Sequence, residues 1–203
     1  MKKITTILLS SLLASAALSA KAFDFEDPKN VNNIRFNLDA PLEAIAGTGN
    51  GISGTINFDI DHPENISGEI VILTESLNVP NPVMRDHLHG SDWLDKANNP
   101  RIIFTAESID HIEKDGHTVK AHVTGTLLLK GTTKEITIPV TFTHLPDRLG
   151  ERSNGQMEGD LLVVRSSFTV KRDDFGIMPG QAEDKVANEN EISLALAGAA
   201  PDA

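Results

Sequence analysis

At 203 residues the chain is long enough for one domain with a substantial core, and its 29 acidic residues against 18 basic ones leave a net charge of −11. The basic residues are outnumbered and scattered, which argues against nucleic acid and anionic membrane surfaces as partners. No cysteine is present, excluding disulfides and thiolate metal sites, and eight Phe, one Trp and no Tyr are too few aromatics for an extended base- or sugar-stacking surface.

Residues 1–22 have the three parts of an export signal: Lys2 and Lys3, an apolar run from Ile4 to Leu18, and small residues before the cut. The small-x-small tripeptide Ala20-Lys21-Ala22 places cleavage after Ala22, with cleavage after Ala20 as the alternative. The apolar run is shorter than the roughly 20 residues that cross a bilayer, and no later segment approaches that length, so no membrane span is expected. Without a cysteine at the cleavage site there is no lipid anchor either. The mature chain is therefore expected to be a soluble periplasmic protein, and loss of Lys2, Lys3 and Lys21 takes its charge from −11 to −14.

Beyond the signal the dominant pattern has a period of two. It runs through Arg35 to Ala40, Gly54 to Ile60, Gly68 to Leu77 and Arg101 to Ser108. It continues through Val119 to Leu129 and Ile136 to Thr143, which the turn-forming segment Lys130 to Lys134 joins as an antiparallel hairpin. Met157 to Val164, Ser166 to Lys171 and Glu191 to Ala197 complete the series. Pro139 has no N–H and belongs where the ladder needs no donor. Residues 81–96 lack the alternation and read as a short helical or coiled excursion, while residues 199–203 read as a flexible tail. So many antiparallel strands in one domain, residues 23–198, must close or stack to hide their edges, which leaves a barrel or a sandwich.

The chemical motifs are weak. Gly49, Gly51 and Gly54 have dinucleotide-loop spacing, but Thr55 to Ile60 reads as a strand where such a loop needs a helix. Among seven histidines, His87 and His89 are the closest pair, with Asp86 or Asp92 as further donors, yet no third ligand at useful spacing makes a metal site; none is expected. His144 shares the face of Ile138, Val140 and Phe142 and reads as a hydrogen-bonded rim residue. There is no Gly-x-Ser-x-Gly elbow, and Asp59, Asp61, Glu64, Asp173 and Asp174 have solvated turn and salt-bridging roles, so no catalytic residue is assigned and the chain is read as non-enzymatic.

Three segments taken in order resemble the YceI family, exported polyisoprenoid-binding barrels of bacterial envelopes. The first runs from Arg85-Asp86-His87-Leu88 through Asp92-Trp93-Leu94-Asp95 to Pro100-Arg101-Ile102-Ile103-Phe104. The second is Gly125-Thr126-Leu127 followed by Gly131-Thr132-Thr133-Lys134, and the third is Arg172-Asp173-Asp174-Phe175-Gly176-Ile177. The resemblance implies a single extended, lipocalin-like, eight-stranded antiparallel barrel whose apolar tunnel binds a long-chain isoprenoid, of quinone or polyprenyl phosphate type, with no other cofactor. It also implies that a homodimer is open to the chain.

Under that reading Phe104, Val123, Leu127, Ile138, Val140, Phe142 and Phe168 point into the tunnel, with Ala106, Ala121 and Gly125 small enough to leave space. Leu88, Trp93, Leu94, Phe175 and Ile177 form or close its mouth. Arg85 and Arg172 are the candidates for a headgroup contact; equally, Arg85 pairs with Asp86 or Asp92, and Arg172 with Asp174, to brace the non-strand segments. The rivals are a metal- or stress-related periplasmic protein built on His87 and His89, a structural module with a solid core, and a hydrolase acting on a lipid in the tunnel.

Overall fold

The computed structural model describes residues 20–202, so residues 1–19 of the expected signal lie outside it. Among the described residues there are ten strands: β1 (Lys21–Asp24), β2 (Asn33–Asp39), β3 (Ala44–Gly49), β4 (Ile52–Phe58), β5 (Ser67–Leu73), β6 (Arg101–Asp115), β7 (Thr118–Leu129), β8 (Thr132–Leu145), β9 (Gly159–Lys171) and β10 (Glu189–Pro201). They form one antiparallel sheet in the order β1-β4-β5-β6-β7-β8-β9-β10-β2-β3, closed by a β1–β10 pairing.

The ten strands make eight staves, because two staves are interrupted. β1 and β2 lie in succession along one edge of β10, with Asp24 opposite Ala199 and Asn33 opposite Ala195. β4 and β3 lie in the same way along β1 and β2. Where the first stave breaks, at residues 25–32, the Asn32 side chain replaces the missing ladder: its carbonyl accepts from Ala197 N at 2.8 Å, and its amide donates to Ala197 O at 3.1 Å and Phe25 O at 2.9 Å. Only 2% of Asn32 is exposed, so a polar residue is stable there because every such group is paired. The barrel is thus all-β, eight-staved, antiparallel and closed, and closure pairs strands that would otherwise be free edges, with β3 covered on its outer side by the Thr48–Asn78 bridge.

Several boundaries differ from the sequence expectation. The segment to Lys171 is one strand, since inward Leu162, Val164, Ser166 and Val170 keep the alternation across Arg165. Leu73 ends β5 and a 3-10 turn follows at Thr74–Ser76, where the Thr74 hydroxyl donates to Asn99 O at 2.6 Å. Residues 199–201, expected in a flexible tail, are paired with β9, and Ala200 is buried. β3 was not visible as a strand because Gly47 and Gly49 leave its inward face without an apolar pattern.

Pro139 sits one residue beyond the last β8–β9 pair, Val140 with Ser166, so its missing N–H interrupts no bond to β9. Past that point β8 and β9 diverge, and the 3-10 turn Arg172–Phe175 packs into the opening.

The long connections sit at one end of the barrel. Residues 74–100 carry helix α1 (Pro82–His89), whose start is set by Pro82 at the first turn and by the Asn81 side chain accepting from Val83 N and Met84 N. Residues 172–188 form the second connection, and the β7–β8 hairpin lies between the two. Lys130 of that hairpin donates to Asp92 O at 2.7 Å and Gly176 O at 3.3 Å, tying both connections to the wall. The other end carries the short helix α2 (Leu149–Ser153).

Candidate functional site

The barrel interior holds a cavity of about 380 Å³ with almost wholly apolar walls. Its size is set partly by glycines. A Cβ on Gly47 would lie 2.0 Å from the Phe36 ring on the neighbouring strand, and one on Gly125 would lie 2.8 Å from the Phe104 ring and 2.2 Å from Thr105 O. Both rings therefore pack over bare backbone, where a side chain on the glycine would displace them. Gly125 is thus covered by Phe104 rather than open to the tunnel, a correction to the reading that it leaves free space. Ala106 does line the cavity; Ala121 is buried but does not.

Beyond Phe142, which lines the cavity, lies a polar cluster. Phe142 stacks on Phe58 at 4.7 Å between ring centres, and Phe23 meets His144 edge-on at 5.9 Å. Asp160, 5% exposed at its side chain, accepts from Lys21 Nζ at 2.6 Å, lies 2.8 Å from His144 Nε2, and accepts from the Asp147 amide at 3.0 Å. Burial alone acts to raise the Asp160 pKa, but these partners outweigh it and hold the carboxyl at about 2.

The mouth lies between the two long connections. Of the residues singled out from the sequence, Phe104, Val123, Leu127, Ile138, Val140, Phe142 and Phe168 line the wall, and Leu88, Trp93, Leu94 and Ile177 line the mouth region. Phe175 is buried in the surrounding core but does not line the cavity.

The two arginines are placed differently. Arg85, on the exposed side of α1, lies 3.7 Å from Asp86 and does not line the cavity. Arg172 does line it, but only 4% of the residue is exposed. Its guanidinium donates to the carbonyls of Ile177 at 2.9 Å, of Ala187 and Val186 at 3.3 Å, and of Met178 and Gln181. Asp173, not Asp174, is its acidic neighbour, at 3.6 Å. The fork is engaged with backbone and leaves no free donor for a phosphate.

Sequence reasoning missed much of the opposite wall. Ile34, Phe36, Ile192, Leu194 and Leu196 line the cavity, and the alternation of their strands contains the signal for them. Asn190 shares their parity on β10 and also lines the cavity; its Oδ1 is buried and has no hydrogen-bond partner. Besides Arg172 and Asn190, the polar lining groups are Glu43, His87, Lys185 and Ser166. The Ser166 hydroxyl donates to Pro139 O at 2.6 Å.

His87 and His89 do not converge. His87 faces the cavity, whereas the His89 ring is engaged with Leu77 O at 2.8 Å, so the metal alternative built on this pair lacks its geometry. The histidines that do approach a carboxylate together lie on the outer wall, His111 and His122 beside Asp110. No helix among the described residues is long and apolar enough to cross a membrane.

Comparison with known proteins agrees with this architecture. Residues 23–197 match the family model of the YceI-like domain. Protein YceI of Escherichia coli O157:H7 is 28% identical over 177 residues, covering 85% of this chain and 88% of that protein. Among solved structures, BcnA of Burkholderia cenocepacia superposes with a TM-score of 0.68 at 20% identity, over 83% of this chain and 96% of that one. A polyisoprenoid binding domain from Saccharophagus degradans, implicated in plant cell wall breakdown, superposes with a TM-score of 0.65 at 13% identity, over 90% and 99%.

Proposed function

The chain belongs to the YceI family, and from that premise we propose that it sequesters the tail of a long-chain isoprenoid or related apolar lipid in the barrel cavity, in the periplasm and without chemistry on the lipid. The observation that carries this reading is the cavity itself. Protein interiors are close-packed with few voids larger than a water molecule, whereas about 380 Å³ of apolar space falls in the range of ligand sites. The solid-core alternative loses its premise. Affinity comes from burial, at roughly 0.8 kcal/mol per methylene equivalent, so a few isoprene units suffice without any polar contact.

The headgroup is best read as able to donate a hydrogen bond, such as an alcohol or a quinol. Arg172 is committed to carbonyls and Arg85 stands outside the cavity, whereas Asn190 Oδ1 is an acceptor with no partner. A buried acceptor left unpaired costs about 1–3 kcal/mol, which a ligand hydroxyl would recover. Binding without catalysis is supported by the lining, where the one hydroxyl, Ser166, already donates to Pro139 O.

Export is supported by the signal-like leader. The ion pair of Lys21 with Asp160 favours cleavage after Ala20, which keeps that contact, over cleavage after Ala22, which removes it. Periplasmic fractionation and the intact mass of the mature chain test both points.

Trp93 is the single tryptophan and lines the cavity, so it is a built-in reporter. Titration with a polyprenol should shift its emission and saturate at one lipid per barrel, whether the chain is monomeric or paired. No saturable change would oppose the proposal, as would conversion of a labelled lipid to product.

A further inference from the structure

The hairpin of β6 and β7 carries on its outer wall an irregularity that the lipid site does not use. Asp110 pairs in register with His122, and Glu113 with Lys120, so His111 and Ile112 together oppose the single residue Ala121. This is a β-bulge, and its first residue, His111, has φ of 48°. Strict alternation would turn His111 away from the face that Asp110 and His122 share. The left-handed conformation turns it back.

The result is a convergence of three metal-ligating side chains. His111 Nδ1 lies 2.8 Å from Asp110 Oδ1, His122 Nδ1 lies 3.9 Å from the same oxygen, and the two imidazole rings are 5.0 Å apart between centres. One donor atom from each of the three lies within 4.8 Å of the others. Ligands about 2.0–2.1 Å from a tetrahedral ion are about 3.3 Å from one another, so the two distances to Asp110 bracket the required spacing and small side-chain rotations meet it.

We propose that Asp110, His111 and His122 form a surface site for a divalent transition-metal ion, with two imidazoles and one carboxylate as protein ligands and water in the remaining positions. Two nitrogens with one carboxylate oxygen suit copper, nickel or zinc, and the absence of an all-oxygen shell disfavours magnesium and calcium. Lys120, Glu113, Arg35 and Arg165 line the adjoining groove. Arg165 Nη1 is bonded to Val164 O and Leu196 O, and Lys120 is opposite Glu113 in the ladder; the side chains at ion-pair distance from Asp110 are His111 and His122.

The test is calorimetric titration of the untagged full chain with Cu²⁺, Zn²⁺ and Mg²⁺. The proposal expects one equivalent of Cu²⁺ bound more tightly than Zn²⁺, no Mg²⁺ binding, and an electron spin resonance spectrum of the copper form with two nitrogen couplings. His122→Ala should weaken binding by more than the roughly 10–100-fold cost of losing an outer-shell partner, and should remove one nitrogen coupling. His111→Asn, which keeps a residue tolerant of left-handed backbone, should do the same. His62→Ala, at an exposed turn beside Glu64, should change nothing. Weak multi-site binding, or stoichiometric binding that survives both His122→Ala and His111→Asn, would overturn it.

Discussion

Arg172 holds its guanidinium carbon 5.8 Å above the centre of the Trp93 ring, so the two long connections that frame the mouth meet in one cation–π contact. The same guanidinium gathers five carbonyls of residues 177–187. It is a brace for the mouth, and several predictions about stability and binding separate that role from a headgroup contact.

Arg172→Ala strands those carbonyls in a buried site and should lower stability by roughly 3 kcal/mol in urea unfolding. Arg172→Lys should recover less than half of that, because an ammonium cannot span the fork. Binding of a polyprenyl phosphate and of its alcohol should fall alike; selective loss of the phosphate would restore the headgroup role.

Asn190→Leu removes an unpaired buried acceptor and should leave the lipid-free barrel equally or more stable. It should weaken binding of a polyprenol by about five- to tenfold, the worth of one hydrogen bond, without weakening its hydrocarbon analogue. Equal effects on both lipids would mean that no ligand donor reaches Asn190.

Gly47→Ala puts a methyl group where the Phe36 ring lies and should drive the ring into the cavity. Overpacking of this kind costs about 1–3 kcal/mol, read by thermal unfolding, and the narrowed lumen should lose long-tailed lipids more than short ones. Unchanged binding across tail lengths would show that the ring's seat does not set the cavity.

Asp160, in the polar cluster with Lys21 and His144, has a folded pKa of about 2 against an ordinary value of 3.8. A depressed carboxylate contributes its full stabilisation above the unfolded value and loses it as pH falls through the folded one, here from about pH 4 down to 2. The loss amounts to about 2 kcal/mol. Asp160→Asn should flatten that part of the pH profile relative to the unaltered chain, as measured by urea unfolding at pH 6, 4 and 2.5.

Much of this arrangement is legible in the chain. Val119 to Leu129 and Ile136 to Phe142 alternate so cleanly that one face must be buried, and those faces supply Val123, Leu127, Ile138, Val140 and Phe142 to the cavity wall. The glycine-rich β3 is not legible, since its inner face is completed by an aromatic ring from β2. Nor is the destiny of Arg172, because its carbonyl partners are presented by a connection with no regular pattern. The cluster of His111 and His122 was equally hidden: hairpin pairing brings Asp110 opposite His122, but only the bulge turns His111 onto the same face.

The proposed role of the cavity is to hold an isoprenoid tail. Organic extraction of the protein purified from its native host, followed by mass spectrometry, addresses it directly. A long-chain isoprenoid with a hydroxyl-bearing headgroup is expected at close to one molecule per barrel. Reproducible recovery of no lipid, or of lipids without isoprenoid character, would contradict it.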